Sequence, residues 1–283
     1  MTKQGLFVGL VTLDLVYLVT ALPQSNQKIV ALEDSMTAGG PAANAAVTFS
    51  HLGNSATLLS SVGQHPSRQL VLADLHSVAI ADLTPNRTQS VPISSILVTQ
   101  ATGERAIVSR NAVQAQAPTT AMPVDILQET EIVLIDGHQM AVGQAIAKQA
   151  KAQQIPVVVD GGSWKAGFEE VLPYVDYAIC SANFLPPQCF TLADVLDYLI
   201  SLKIPHIAIT NGSQPIQYFS QGSGGQIPVP KIQPVDTLGA GDIFHGAFCH
   251  FVLRTNFLET LALAADVAGR SCQFFGTRQW MNR

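Results

Sequence analysis

The chain has 283 residues, of which 47 % are hydrophobic and 12 % charged. That charged share is about half the average for a soluble domain, so a large core is available and intrinsic disorder is excluded. Fifteen Lys and Arg against 20 Asp and Glu leave a net charge of −5 with no basic run, which excludes nucleic acid as an expected partner.

The first predicted element is the apolar stretch 5–22, GLFVGLVTLDLVYLVTAL. A membrane or signal segment is one reading. However, Asp14 at its centre costs about 2.5 to 3.5 kcal/mol on insertion scales, and no small-residue cleavage site follows before Pro23. No membrane association is expected. Residues 13–38 and 89–110 carry strand-like segments of mixed polarity with no helix between them, and together they read as an antiparallel sheet covering one end of a larger one. In the second, VPISSILVTQ and RAIVS flank Ala101-Thr102-Gly103-Glu104, a hairpin loop with Gly103 at a positive-φ position.

Farther along, short apolar runs alternate with amphipathic stretches, the pattern of β-α-β units around a parallel sheet. Strands are predicted at 132–135, 157–160, 177–180 and 206–210, with helices over 139–152 and 191–202. Gln221-Gly222-Ser223-Gly224-Gly225 reads as a surface loop between two late strands. Two core-packed helices close the chain, 241–254 with Phe244, Ala247, Phe248 and Phe251 on one stripe, and 257–275. Cys180, Cys189, Cys249 and Cys272 lie far apart, with neither C-x-x-C nor zinc-type spacing, and read as reduced thiols of a cytoplasmic protein.

The sharpest chemical feature is Asp236-Thr237-Leu238-Gly239-Ala240-Gly241-Asp242, a Gly-rich turn that runs into the first closing helix. A helix start has unpaired N–H donors and a positive dipole end, so this junction suits phosphoryl oxygens. A carboxylate there repels an anion unless it has work with a neutral neighbour, and accepting a hydroxyl proton is such work. The same residues equally describe a plain Gly-rich turn with an Asp favoured by the helix dipole.

The segment DTLGAGD followed by IFHGAF resembles the C-terminal signature of the PfkB, or ribokinase-like, carbohydrate kinases. Gly39-Gly40-Pro41-Ala42-Ala43-Asn44-Ala45-Ala46, running on to Leu52-Gly53, resembles the N-terminal signature of the same family. The resemblance covers essentially the whole chain. It implies an α/β fold, a ribokinase-like doubly wound and mostly parallel sheet flanked by helices with a small antiparallel β lid. The large domain is expected over 1–12, 39–88 and 111–283, and the lid over 13–38 and 89–110.

The implied activity is ATP-dependent phosphorylation of a hydroxymethyl group of a sugar, with Mg²⁺ and, as a candidate, K⁺. Asp242 falls at the catalytic base, and Gly239, Ala240 and Gly241 fall at the anion hole. Asp236 opens the motif at a candidate monovalent-cation site. Asp14, Gly39, Gly40 and Asn44 fall at sugar-binding positions. Asn183, Thr210, Gly212 and Thr237 fall on the nucleotide side together with Gly239 and Gly241. A homodimer through the lid is implied as well, and the Gly-Gly-Pro-Ala-Ala segment looks closest to the ketohexokinase and sulfofructose kinase branch.

Two departures stand out. Pro186 replaces a Glu that follows Asn183 by three residues in many relatives and organises Mg²⁺ waters, and Pro215 replaces a Gly of the nucleotide loop. His138, at the end of the strand 132–135, is a further candidate substrate contact. The alternatives are a nucleoside or vitamin kinase of the same fold, or a non-catalytic sugar or nucleotide sensor. No Walker A lysine motif and no G-x-G-x-x-G after a strand is present.

Overall fold

Continuous apolar runs become central strands. The computed structural model describes residues 2–110 and 116–282; the expected domain boundary at 111 and the chain ends at 1 and 283 lie outside them. β1 (Gln4–Val8), β4 (Ser55–Ser60), β5 (Val78–Asp82), β8 (Ile132–Ile135), β9 (Val157–Gly161), β10 (Tyr177–Ser181) and β11 (His206–Asn211) pair in parallel in the order β5-β4-β1-β8-β9-β10-β11. β12 (Gln214–Ser220) and β13 (Ser223–Ile227) extend the sheet antiparallel to nine strands.

Strand periodicity divides the core in two. Phe7 and Leu134 face one side, where α1 (Pro41–His51), α6 (Ala240–Val252) and α7 (Phe257–Ser271) bury Phe49, Phe248 and Leu261. Leu6, Val8, Val133 and Ile135 face the other, where α3 (Met140–Ala152), α4 (Phe168–Val171) and α5 (Leu192–Ser201) bury Ile146, Phe168 and Leu199. Thr191 caps α5 in a reciprocal capping box with Asp194. The sheet is thus doubly wound, with its C-terminal strand ends forming the edge where such folds bind ligands.

A separate four-stranded sheet has the order β3-β2-β6-β7, from β2 (Thr12–Val19), β3 (Glu33–Gly39), β6 (Ile93–Thr99) and β7 (Arg105–Ser109). Its outer pairs are antiparallel, and the central β2–β6 pair is parallel. β2 and β6 arrive in separate excursions from the large sheet, so no hairpin obliges them to run in opposite directions. Gly103 takes φ 65° in the β6–β7 turn. The stretch 5–22 becomes most of β1 and all of β2, and no helix among the described residues is long and apolar enough to cross a membrane.

Two expected bounds shift. The late loop shrinks to Gln221 and Gly222, at φ 51° and 82°, while Ser223 to Gly225 join β13. Two consecutive positive φ values suit a two-residue hairpin turn, and Gly225 leaves room for the Tyr218 hydroxyl, 2.6 Å from where a Cβ would sit. α7 ends at Ser271 rather than 275, because the chain turns there to cross Asp236; the Val235 N–H donates to the Cys272 carbonyl at 2.8 Å.

Candidate active site

The site begins where a left-handed glycine starts α6. Gly239, at φ 69° and ψ 6°, is the N-cap, and no side chain caps the helix. The Ala240 N–H donates to the Thr237 carbonyl at 3.3 Å and that of Ile243 to the Gly239 carbonyl at 2.8 Å. The N–H groups of Gly241 and Asp242 between them belong to the first helical turn, where no intrahelical acceptor exists.

The two glycines of this turn are there for different reasons. A Cβ on Gly239 would meet the Thr277 methyl at 2.8 Å, with Asn44 Nδ2 and Asp242 Oδ2 at 3.5 and 3.7 Å. A Cβ on Gly241 would meet nothing within 4 Å, and Gly241 is exposed. The fold therefore needs Gly239 for its backbone, while Gly241 leaves an open cradle beside unpaired donors, a fit to a phosphoryl group.

Asp242 is half-buried next to that cradle. Asn44 Nδ2 donates to its Oδ2 at 2.8 Å, and no other hydrogen bond reaches the carboxylate among the described residues. Burial and the neighbouring carboxylates Asp160 and Asp136 push its carboxyl up to about 7, against the opposing pull of Asn44 and His245. A proton acceptor poised near neutrality suits general-base work.

His245, one turn along α6, braces the same corner. Nδ1 lies 2.7 Å from the Gly241 carbonyl and Nε2 lies 3.1 Å from the Ile179 carbonyl. Asp160 Oδ2, from β9, lies 3.4 Å from the same Nδ1.

The sugar-side candidates converge from β2, β3 and α1. Asp14 is buried, accepts from Thr12 Oγ1 at 2.7 Å, and has its carboxyl raised chiefly by burial. Gly39 packs directly on that carboxylate, and Gly40, at φ 97°, leaves no room for a Cβ against the Leu10 carbonyl at 2.5 Å. Asn44, buried on α1, is engaged at both ends of its amide, since Arg278 Nη1 donates to its Oδ1 at 2.9 Å. The candidate base and the two glycine signatures, nearly 200 positions apart, thus meet through Asn44.

Asp136, at the end of β8, pins this region. Its carboxylate accepts from the N–H groups of Leu10 at 2.8 Å, Ala42 at 3.1 Å and His138 at 2.9 Å. Burial opposes its charge, yet His138 and the Leu10 and His138 N–H donors hold its carboxyl below the usual range. The imidazole of His138 folds back on it, with Nδ1 3.2 Å from Oδ1.

Asp236 is buried and accepts from the N–H groups of Leu238 and Gly276, both at 2.9 Å, tying the Gly-rich turn to the end of the chain; burial raises its carboxyl. Thr237 Oγ1 accepts from Arg105 Nη1 of β7 at 2.7 Å, a bridge from the small sheet to the turn. Asn183 and Thr210 sit at the ends of β10 and β11, and Gly212 takes φ 53° in the following turn. No hydrogen bond joins these three to the α6 turn among the described residues. Sequence reasoning passed over Asp136, His245 and Arg278. A lone Asp ending the apolar run IVLI was a usable signal for the first; nothing local marked Arg278.

The sequence matches the pfkB family of carbohydrate kinases over residues 3–282. It is 25 % identical to a ribokinase of Lactococcus lactis across 99 % of this chain and 94 % of that protein. It is 24 % identical to a ketohexokinase of Mus musculus across 97 % of both. Among solved structures, the ribokinase of Thermotoga maritima superposes with a TM-score of 0.82 at 18 % identity, covering 99 % of this chain and 96 % of that one. The ribokinase of Arabidopsis thaliana complexed with ribose and ATP superposes with a TM-score of 0.78 at 22 % identity, covering 98 % and 94 %.

Proposed function

Because the chain belongs to the pfkB family of carbohydrate kinases, we propose that it transfers the terminal phosphoryl group of ATP to a hydroxymethyl group of a sugar, with Asp242 as base. The observation that carries this reading is the pairing of a carboxyl held near 7 with the uncapped α6 start at Gly241. Asp242 takes the proton of the acceptor hydroxyl as its oxygen attacks phosphorus. In the Gly239–Gly241 turn, the unpaired N–H groups of Gly241 and Asp242 donate to the oxygens on which negative charge gathers. Asp14 and the second N–H of Asn44 hold the sugar hydroxyls, and Gly39 and Gly40 let the backbone come close to it. The Arabidopsis relative, solved with ribose and ATP, supports this pairing of substrates.

Among the described residues no cluster of three His, Cys, Asp or Glu side chains could hold a metal. Mg²⁺ is proposed as a partner of the nucleotide phosphates, reached largely through water, and Pro186 leaves Asn183 without the acidic neighbour of many relatives. K⁺ is proposed near Asp236, whose two carboxylate oxygens each accept one N–H donor and keep a further lone pair. Asn183, Thr210, Gly212 and Thr237 line the nucleotide side in this reading.

The small sheet, with segments 13–38 and 89–110, is proposed to close over the sugar. Tyr17, Met36 and Val108 leave one face of it apolar and exposed, which supports a homodimer through that sheet; a cytoplasmic location is proposed from the family resemblance. The reading is tested by ADP release from Mg²⁺-ATP against ketohexoses, aldopentoses, sulfofructose and nucleosides. Turnover with one sugar is expected. Turnover with nucleosides alone would replace the substrate class, and stabilisation by ATP or a sugar without turnover on any substrate would favour a sensor.

A further inference from the structure

Arg278 lies in the turn beyond α7 with its side chain 17 % exposed, and its guanidinium collects acceptors from four parts of the chain. Nη2 and Nε donate to Asp74 Oδ2 at 2.9 and 3.2 Å, and Nη2 also donates to the Ala38 carbonyl at 2.7 Å. Nη1 donates to Asn44 Oδ1 and to Thr277 Oγ1, both at 2.9 Å. Asn44 carries the chain of contacts onward, with Nδ2 donating to Asp242 Oδ2 at 2.8 Å.

The two ends of an amide differ chemically: its oxygen only accepts and its nitrogen only donates. A guanidinium only donates and a carboxylate only accepts. With Arg278 on one side and Asp242 on the other, Asn44 has one satisfied orientation. Turned over, it would set an NH₂ against the guanidinium and a carbonyl oxygen against the carboxylate. Charge-assisted bonds at both ends make that difference larger than for neutral partners.

We propose that Arg278 is a positioning residue that locks the Asn44 amide in this orientation, so that Oδ2 of Asp242 is tied down and Oδ1 is left for the acceptor hydroxyl. The role of Asp242 rests on the kinase reading; the lock itself is a property of the fold. A lysine at 278 keeps the charge and can still pair with Asp74, but a single ammonium cannot serve Asp74, Ala38 and Asn44 in one planar fork.

The groups facing Asp242 are Asp160 from β9, Asp136 from β8, His245 from its own helix and Asn44 from α1. The first two disfavour its charge and the last two favour it. Releasing Asn44 therefore moves the acid limb of kcat/KM to higher pH.

The lock is read without turnover in amide NMR spectra. The Asn44 side-chain resonances, assigned by their loss in Asn44→Ala, are displaced from free-amide positions in the wild type and return toward them in Arg278→Lys. Unchanged Asn44 resonances in Arg278→Lys overturn the lock whether or not the protein is a kinase. With turnover established, Arg278→Lys lowers kcat about tenfold or more and raises the acid limb. In the Asn44→Ala background it adds little, because the two residues act as one unit. Multiplying losses would overturn the proposal. Leu199→Ala, in the core on the α5 side of the sheet, serves as the stability control: it lowers Tm without moving the limb, and an equal shift would assign the effect to general loosening.

Discussion

Gly241→Ala separates a residue that the ligand needs from one that the fold needs. Gly241 has ordinary helical backbone in α6, and a Cβ there meets nothing within 4 Å. Alanine in place of a helical glycine stabilises by about 0.5–1 kcal/mol, which for a chain of this size is a rise in Tm of roughly 1–4 °C. The same methyl occupies the space through which phosphoryl oxygens reach the Gly241 and Asp242 N–H groups. Loss of one such donor costs about 10²–10³ in kcat. Scanning fluorimetry and an ADP-release assay on one preparation should therefore show a variant that is at least as stable as the wild type and at least a hundredfold slower. A rate within threefold of wild type would refute the cradle, and a Tm several degrees lower would make Gly241 structural instead.

Gly239→Ala is the counterpart: with φ 69° and the Thr277 methyl 2.8 Å away, it should lower Tm as well as activity, and unchanged stability would contradict the backbone argument. The acid limb of kcat/KM should fall near pH 7, where Asp242 titrates. Its folded carboxyl lies above the ordinary value of 3.8, so the folded state binds the extra proton between these limits and its stability falls as pH rises through them. Asp242→Asn should accordingly gain Tm relative to wild type from pH 4 upward, levelling above pH 7; a gain confined to acid pH would reverse the assigned sign. Asp14→Asn should raise sugar KM on the order of 10- to 100-fold with a smaller change in kcat, from one charged hydrogen bond at about 1.5–3 kcal/mol. An unchanged KM would remove Asp14 from the sugar site.

The fold was legible wherever one periodicity ruled a segment. IVLI and VVVD needed only their continuous apolar character to become β8 and β9, and the Phe244–Phe251 stripe needed only its helical spacing to become α6. The Gly-rich turn was legible because backbone chemistry is local: a positive-φ glycine and an uncapped helix start are written within four residues. Asp14 showed as a charge out of place, and its burial accounts for that. The Asn44–Asp242 and Arg278–Asn44 contacts were not legible, because they join residues 198 and 234 positions apart and depend on side-chain reach across three elements. Gln221 to Gly225 misled because glycines read as a loop, whereas Gly225 stays in β13 to clear Tyr218. His138 sits at the expected strand end, with Nδ1 3.2 Å from the Asp136 carboxylate.

The most direct test of the central claim is a single-turnover measurement of phosphoryl transfer from radiolabelled Mg²⁺-ATP to the best sugar of the panel, comparing wild type with Asp242→Asn at pH 8. If Asp242 is the base, the transfer step slows by about 10²–10⁴ while sugar and nucleotide bind the variant as tightly as before. A transfer rate unchanged in Asp242→Asn would contradict the account, because the hydroxyl proton would then be leaving by another route.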